Sequence, residues 1–251
     1  MSMDKRLKDK RALVTGASRG IGRGIAEKFS EEGAYVGINY NSSKKEAKEV
    51  LDHVNEYSDG VLLQGDIARE EDCKRIVDEF TKKFGGLDIL VNNAGIYKRK
   101  NIEEASVEDF DETMGVNIRG AYMLCKFSVE HLKESPSGRI INMSSQLAFS
   151  GSDHGTSYVI SKTAMIGLTR ALALELGPKD ITVNGIAPGT IDTDIISSYS
   201  EKKRKDRAES IPIKRIGKPE DIADSAVFLA SEEGSYVNGE ILGVNGGSTI
   251  H

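Results

Sequence analysis

The sequence predicts an α/β fold: one doubly wound parallel sheet of seven strands with helices on both faces. Three observations predict it. Seven short apolar runs alternate with six helix-length amphipathic runs. The apolar runs are continuous rather than alternating, as strands buried on both faces must be. A helix-length segment separates each strand from the next, which is what right-handed parallel crossovers need.

The first strand is Ala12–Thr15, followed by a glycine-rich turn and a helix over Gly22–Glu32, with Ile25, Ala26 and Phe29 on its apolar side. Then come strand Tyr35–Asn39 and helix Ser43–Tyr57, strand Val61–Gln64 and helix Glu70–Phe84, and strand Ile89–Asn92 with a long helical pattern over Ser106–Glu134. Strand Arg139–Met143 precedes helix Tyr158–Leu176; strand Thr182–Ala187 and helix Pro219–Ala230 follow, and Glu240–Val244 closes the series. One segment breaks the rhythm. Residues 191–213 carry mixed charge (Glu201 to Arg207) with little apolar periodicity, and read both as a solvated surface helix and as a mobile lid over a substrate.

The 251 residues fit one domain, 1–251, without linker or repeat. At 38% hydrophobic residues the chain has enough for a core, and no apolar run reaches the ~18 residues of a spanning helix. Met1 to Lys10 is charged, unlike a signal peptide, so the expected location is the cytoplasm and no membrane partner is expected. A net charge of −5 excludes broad attraction to nucleic acid. Cys73 and Cys125 sit apart in helical patterns and are expected as free thiols. His53, His131, His154 and His251 show no ligand spacing, so no metal site is expected.

The richest segment is Thr15-Gly16-Ala17-Ser18-Arg19-Gly20-Ile21-Gly22. A glycine-rich turn between strand and helix brings backbone N–H groups and a helix N-terminus up to a pyrophosphate, where a Cβ would block the approach. It lacks the Gly-Lys-Ser/Thr of a P-loop. In a doubly wound sheet ligands bind beyond the strand carboxyl ends. Small and polar residues stand at those ends: Gly65-Asp66-Ile67, Asn92-Asn93-Ala94-Gly95, Ser144-Ser145 and Pro188-Gly189-Thr190. Tyr158 and Lys162 follow at i, i+4, on one helix face. A phenol with a pKa of ~10 is a poor acid–base catalyst at neutral pH. An ammonium ~5 Å away would favour the phenolate by about 3 kcal/mol at an effective dielectric of ~20, bringing Tyr158 into a working range.

Together, Thr15-Gly16-x-x-x-Gly20-x-Gly22, Asp66, Asn92-Asn93-Ala94-Gly95, Asn117, Ser145, Tyr158-x-x-x-Lys162 and Pro188-Gly189-x-x-x-Thr193 resemble the short-chain dehydrogenase/reductase family over nearly the whole chain. The resemblance implies a Rossmann-type dinucleotide-binding domain and NAD(P)(H)-dependent reduction of a carbonyl or oxidation of an alcohol. It implies that Tyr158 is the general acid, that Ser145 rather than Ser144 binds the reacting oxygen, that Lys162 lowers the Tyr158 pKa and holds the nicotinamide ribose, and that Asn117 holds a relay water. It assigns the cofactor to Gly16, Ser18, Arg19, Gly20, Ile21 and Gly22 in the turn. Asn39, Asn41 and Ser42 follow strand 2; Asp66 and Ile67 lie by the adenine; Asn93, Ala94 and Gly95 lie by its ribose. Pro188, Gly189, Ile191 and Thr193 stand near the carboxamide, with Tyr158 and Lys162. No carboxylate ends strand 2, where it would bond the ribose hydroxyls of NAD. With Arg19 placed to pair a 2′-phosphate, NADP(H) is favoured and NAD(H) remains possible.

Within the family the chain is similar to 3-oxoacyl-(acyl-carrier-protein) reductases and to glucose 1-dehydrogenases. The first implies a 3-oxoacyl thioester substrate and an acyl carrier protein partner, with Lys179 at one docking position, Pro136 where an arginine is expected at another, and the basic Ile96–Lys100 segment as a substitute. The second implies a sugar or polyol. A non-catalytic dinucleotide sensor is the alternative of another class. The substrate loop Gln146–Ser157 carries Phe149, Asp153 and His154, and the family implies a homotetramer formed through the long helices.

Overall fold

The computed structural model describes residues 5–197 and 199–250; residues 1–4, part of the charged N-terminal stretch, residue 198, within the expected lid, and His251, one of the histidines without ligand spacing, lie outside it. Seven strands, β1 (Arg11–Val14), β2 (Tyr35–Tyr40), β3 (Gly60–Gln64), β4 (Ile89–Asn92), β5 (Gly138–Met143), β6 (Ile181–Pro188) and β7 (Ile241–Val244), form one sheet in the order β3-β2-β1-β4-β5-β6-β7. Every neighbouring pair is parallel. The order reverses between β1 and β4, so the chain winds outward from the centre in both directions.

The strands are apolar throughout because both faces are covered. Along β1 and β4, Ala12, Val14, Ile89 and Val91 face one core. Leu13 and Leu90, between them in sequence, face the other. The first core lies under α1 (Gly20–Glu31), α2 (Lys44–Tyr57) and α9 (Pro219–Ala230), with Phe29, Val50 and Val227 packed on the sheet. The second lies under α3 (Glu70–Phe84), α5 (Gly120–Lys133) and α7 (Thr156–Leu176), with Phe80, Leu124 and Leu176. Cys73 and Cys125 are buried free thiols within it. Among the described residues no helix is long and apolar enough to cross a membrane.

Helix and strand ends fall within a residue or two of the periodicity, with one exception. The expected Ser106–Glu134 helix is two helices, α4 (Val107–Met114) and α5, joined by a wide turn over Gly115–Arg119 in which the Gly120 N–H reaches the Gly115 carbonyl five residues back. Apolar spacing passes through such an insertion almost unchanged, so the sequence shows one helix where there are two. Ser106 caps α4, accepting from the Asp109 N–H at 3.2 Å, while the Asp109 carboxylate accepts from the Ser106 N–H at 3.1 Å. The charged 191–213 segment contains α8 (Glu201–Ser210), and a short helix not foreseen in the sequence, α6 (Leu147–Ser150), follows β5.

At the amino-terminal edge of the sheet, Asp88 ties β1 to β4. Its carboxylate accepts from the Arg11 side chain at 2.8 Å, from the Arg11 backbone N–H at 2.8 Å and from the Ser135 hydroxyl at 2.6 Å. Burial opposes its ionisation, but these hydrogen bonds win and hold the carboxyl below its ordinary range. A carboxyl depressed in the folded state stabilises the protein above its unfolded pKa, and that stability is lost as pH falls through the folded value. Asp88→Asn is therefore expected to cost about 2–3 kcal/mol at neutral pH and to shrink the acid-side loss of stability, as read by urea unfolding at pH 7 and pH 4.

Candidate active site

All seven strands point their carboxyl ends at the same edge, and a cleft of about 1920 Å³ opens there. Small-molecule pockets run to ~300–1,000 Å³, so this one has room for a dinucleotide and a substrate together. Its floor is a clasp between β1 and β4. The Thr15 hydroxyl accepts from the N–H groups of Asn93 at 2.9 Å and Ala94 at 3.1 Å, and donates to the Val91 carbonyl at 3.2 Å. Asn93 returns the contact, its amide donating to the carbonyls of Thr15 at 2.8 Å and Gly16 at 3.1 Å. Gly16 has φ +59°, and a Cβ on it would lie 2.8 Å from Ala94 Cα, so the clasp closes only on glycine. A Cβ on Gly22 would lie 2.4 Å from the Asn93 amide nitrogen.

The turn delivers Ser18, Arg19, Gly20 and Ile21 to the cleft wall and starts α1 there without any side-chain cap, leaving the first N–H groups of α1 without a side-chain acceptor. That uncapped helix start beside a floor of glycine is a cradle for a pyrophosphate. Along the wall lie Asn41, Ser42, Asp66, Ile67, Gly95, Pro188, Gly189, Ile191 and Thr193. Asn39 also lines it, but its amide is spent: it donates to the Leu63 carbonyl at 3.0 Å and the Gly65 carbonyl at 3.2 Å and accepts from the Gly16 N–H at 3.2 Å. It clips three strand ends together and has no donor left for a ribose. Arg19 reaches across the cleft to Asp194, 3.3 Å away, in an ion pair exposed at both ends.

α7 and β5 meet over the middle of the cleft. Ser144 and Ser145 are adjacent and differently employed. The Ser144 hydroxyl donates to the Lys162 carbonyl at 2.8 Å, which pins β5 to α7. The Ser145 hydroxyl accepts from the Leu147 N–H at 3.2 Å and stands near enough to the Tyr158 hydroxyl to oppose the rise of its pKa. Lys162 is buried and donates to the Met143 carbonyl at 2.7 Å, with its ammonium 5.7 Å from the centre of the Tyr158 ring. Asn117 sits in the wide turn between α4 and α5, fully buried. Its amide accepts from the Ile96 N–H at 2.8 Å and donates to the Ile96 carbonyl at 3.0 Å and the Ser161 hydroxyl at 3.0 Å. It fastens the loop after β4 to α7, with both amide hydrogens used.

The electrostatics differ from the sequence expectation. Tyr158 is half-buried on the cleft wall, and burial pushes its pKa up to about 12 despite the nearby Ser145 hydroxyl. The neighbouring ammonium does not offset this, since burial pushes Lys162 itself down to about 8. Desolvation acts on both groups and outweighs their mutual attraction at this distance.

Tyr97, which the sequence gave no reason to single out, stacks on Tyr158 with ring centres 4.2 Å apart and on His154 at 5.9 Å. A lone aromatic after a glycine carries no periodic signal. The basic run around it is not free for a partner. Lys98 and Lys100 both bond Asp109, which they hold well below the carboxylate range, and Lys98 also bonds Glu112. Arg99 packs between the rings of Tyr97 at 5.3 Å and Tyr199 at 5.4 Å. Lys179 and Pro136 precede β6 and β5, so in a parallel sheet they sit at the edge opposite the cleft of their own chain.

Residues 16–249 match a family model described as enoyl-(acyl carrier protein) reductase. An uncharacterized oxidoreductase of Thermotoga maritima is 40% identical over 244 residues, 94% of this chain and 96% of that one. A 3-oxoacyl-(acyl-carrier-protein) reductase of Aquifex aeolicus is 39% identical over 98% of this chain and 99% of its own. The crystal structure of a short chain dehydrogenase from Burkholderia cenocepacia in complex with NADP superposes with a TM-score of 0.91 at 37% identity, covering 97% of this chain and 99% of that one. The chain belongs to the short-chain dehydrogenase/reductase family. It is thus an oxidoreductase acting on CH–OH or C=O groups. The long match is consistent with the seven-strand order and the placement of the family motifs around one cleft.

Because burial raises the phenol, Tyr158 is expected to remain protonated beyond pH 10 in the ligand-free protein. Difference absorbance between wild type and Tyr158→Phe during alkaline titration checks this; a phenolate signal that appears near neutral pH would contradict it.

Proposed function

We propose that this protein is an NADPH-dependent carbonyl reductase, that its catalytic groups are Tyr158, Ser145 and Lys162 with Asn117 as a positioning residue, and that a 3-oxoacyl thioester is its substrate. The observation that carries the reading is that Ser145, Tyr158 and the buried Lys162 line one cleft, with the Lys162 ammonium 5.7 Å from the centre of the Tyr158 ring. The thioester rests on the relatives that bear that name, together with a cleft larger than a small ketone needs.

A reduced nicotinamide dinucleotide would supply the hydride. The protein's residues supply the rest. Ser18 to Gly22 and the uncapped start of α1 receive the pyrophosphate, and Asp66 and Asn93 stand where the adenosine end would lie. Arg19 exchanges the exposed Asp194 carboxylate for a 2′-phosphate, a denser charge, at little cost because the pair it leaves is screened by water. Lys162 holds the ribose beside the nicotinamide. Ser145 donates to the ketone oxygen and Tyr158 delivers its proton there, so negative charge never builds on an unpaired atom. The raised pKa makes Tyr158 a proton donor at rest. The Lys162 ammonium would favour the phenolate left behind, with positive charge on a bound oxidised cofactor acting in the same direction. With both amide hydrogens engaged, Asn117 acts in this reading by ordering the wide turn and the loop after β4.

Residues 191–213 act as the lid in this reading. Arg204 reaches Asp192 at 2.8 Å and Arg207 reaches the Thr190 hydroxyl at 2.7 Å, so α8 hangs from the end of β6 above the substrate space. Exposed Val107, Phe110, Tyr122 and Ile160 on α4, α5 and α7 support self-association, with a homotetramer as the proposed form.

Tyr158→Phe is expected to lower turnover of acetoacetyl-coenzyme A by ~10³-fold or more while NADPH still binds, as read by absorbance at 340 nm and by calorimetry. Retained turnover would remove Tyr158 as the acid. Arg19→Ala is expected to weaken NADPH about tenfold and NADH little; equal losses would remove the 2′-phosphate contact.

A further inference from the structure

The ring of Tyr97 lies against that of Tyr158 with centres 4.2 Å apart and planes 26° from parallel. It also lies against the start of the helix that carries Tyr158. Gly155 precedes α7 with φ +73°, and a Cβ there would sit 2.3 Å from the Tyr97 ring. His154, one residue earlier, stacks on the same ring with centres 5.9 Å apart. The loop that brings Tyr97 here is tied down at several points. Asn117 bonds Ile96, Lys98 and Lys100 bond Asp109 of α4, and the Lys100 carbonyl accepts from the Gly155 N–H at 2.9 Å. The Arg99 guanidinium lies 5.3 Å from the centre of the Tyr97 ring and 5.4 Å from that of Tyr199, just ahead of α8. Tyr97 is therefore a fixed plate, and Tyr158 leans on it.

A tyrosine hydroxyl sits at the far end of two rotatable side-chain bonds, so a small swing of the ring carries the proton a long way. Misplacing a reacting group by ~1 Å costs up to ~10²-fold in rate. A flat ring stacked on the phenol opposes that swing. The stack also keeps water from part of the Tyr158 ring, and burial is the main cause that holds the Tyr158 pKa up. Among the described residues, the titratable groups beside that ring are Lys162 on its own helix and Tyr97 on the loop after β4. Arg99 and His154, itself bonded to Asp153, lie on the Tyr97 ring. A cation favours the phenolate, so neither Lys162 nor Arg99 accounts for the rise, and shielding does. The Tyr97 hydroxyl has no hydrogen-bond partner among the described residues, so what Tyr97 offers here is its ring.

We propose that Tyr97 is a positioning residue for the reaction, its ring holding the Tyr158 phenol in one orientation on the cleft wall and shielding it from water. The inference rests on Tyr158 being the acid. In this role Tyr97 acts through Tyr158 and moves no proton itself. Phenylalanine keeps the flat face and fills the role. Leucine and alanine are smaller and offer no flat face, so each frees the Tyr158 ring and admits water to it.

Reduction of acetoacetyl-coenzyme A with saturating NADPH, followed from neutral to alkaline pH, tests this in wild type, Tyr97→Phe, Tyr97→Leu and Tyr97→Ala. Tyr97→Phe is expected to keep kcat within ~2-fold of wild type. Tyr97→Leu and Tyr97→Ala are each expected to lower kcat by ~10-fold or more, with a smaller change in KM and unchanged NADPH affinity by calorimetry. In both, the alkaline fall of kcat/KM is expected at lower pH than in wild type, because water reaches the phenol and its pKa drops. Either variant suffices if the other fails to fold, as checked by circular dichroism. Wild-type kcat in whichever of the two folds, or a loss in Tyr97→Phe as deep as theirs, overturns the role. A lowered kcat with the alkaline fall unmoved marks a general disturbance of the loop and overturns it too. Tyr158→Phe, run alongside, separates this inference from the reading beneath it. If Tyr158→Phe is inactive while the Tyr97 variants match wild type, Tyr97 alone is withdrawn. If Tyr158→Phe turns over like wild type, the acid assignment falls and Tyr97 falls with it.

Discussion

Every strand of the sheet runs the same way, and that direction governs the rest of the molecule. A parallel sheet collects all its carboxyl ends on one edge, so the turn after β1, the Asn-Asn-Ala-Gly after β4, the serines after β5 and the Pro-Gly after β6 share one cleft although they lie far apart in sequence. The Thr15–Asn93 clasp holds the two central ends at hydrogen-bond distance, exactly where the strand order reverses and the crevice opens. The same direction sends Lys179 and Pro136 to the far edge, whatever role their equivalents have in relatives.

The cleft is a place where charge is expensive. Tyr158 is pushed toward its neutral form and Lys162 toward its own, so the ligand-free site stores no tyrosinate–lysine pair. A neutral phenol beside Ser145 suits delivery of a proton better than abstraction of one. Hydrogen bonds that would otherwise be unsatisfied in such a setting are settled inside the protein at Asn39, Asn117 and Ser144, and stay open at Gln146 and Tyr97.

Much of this was legible in the sequence. Two-sided burial made the strands readable as continuous apolar runs, and Glu70–Phe84 and Pro219–Ala230 are helices with the expected ends. The glycine turn, Asp66, Asn93 and Ser145 came together because each follows a strand, and Tyr158 and Lys162 join them from one face of α7. Three things were not legible. The wide turn at Gly115–Arg119 leaves apolar spacing intact, so Asn117 reads as an ordinary helical asparagine. Whether an amide such as Asn39 is spent or free depends on backbone carbonyls from other strands, Leu63 and Gly65, which a linear pattern does not display. The balance of desolvation against attraction at Tyr158 depends on depth, and i, i+4 spacing gives only proximity along the helix.

The most direct test of Tyr158 as a proton donor is the pH dependence of kcat/KM for ketone reduction with NADPH. A reaction that needs its acid protonated holds its rate at low and neutral pH and loses it as pH rises through the pKa of that acid. A plateau through neutrality with a single alkaline fall, absent from any residual rate of Tyr158→Phe, is the predicted result. A rate that climbs with pH across the neutral range, as a deprotonated phenol would demand, would contradict it.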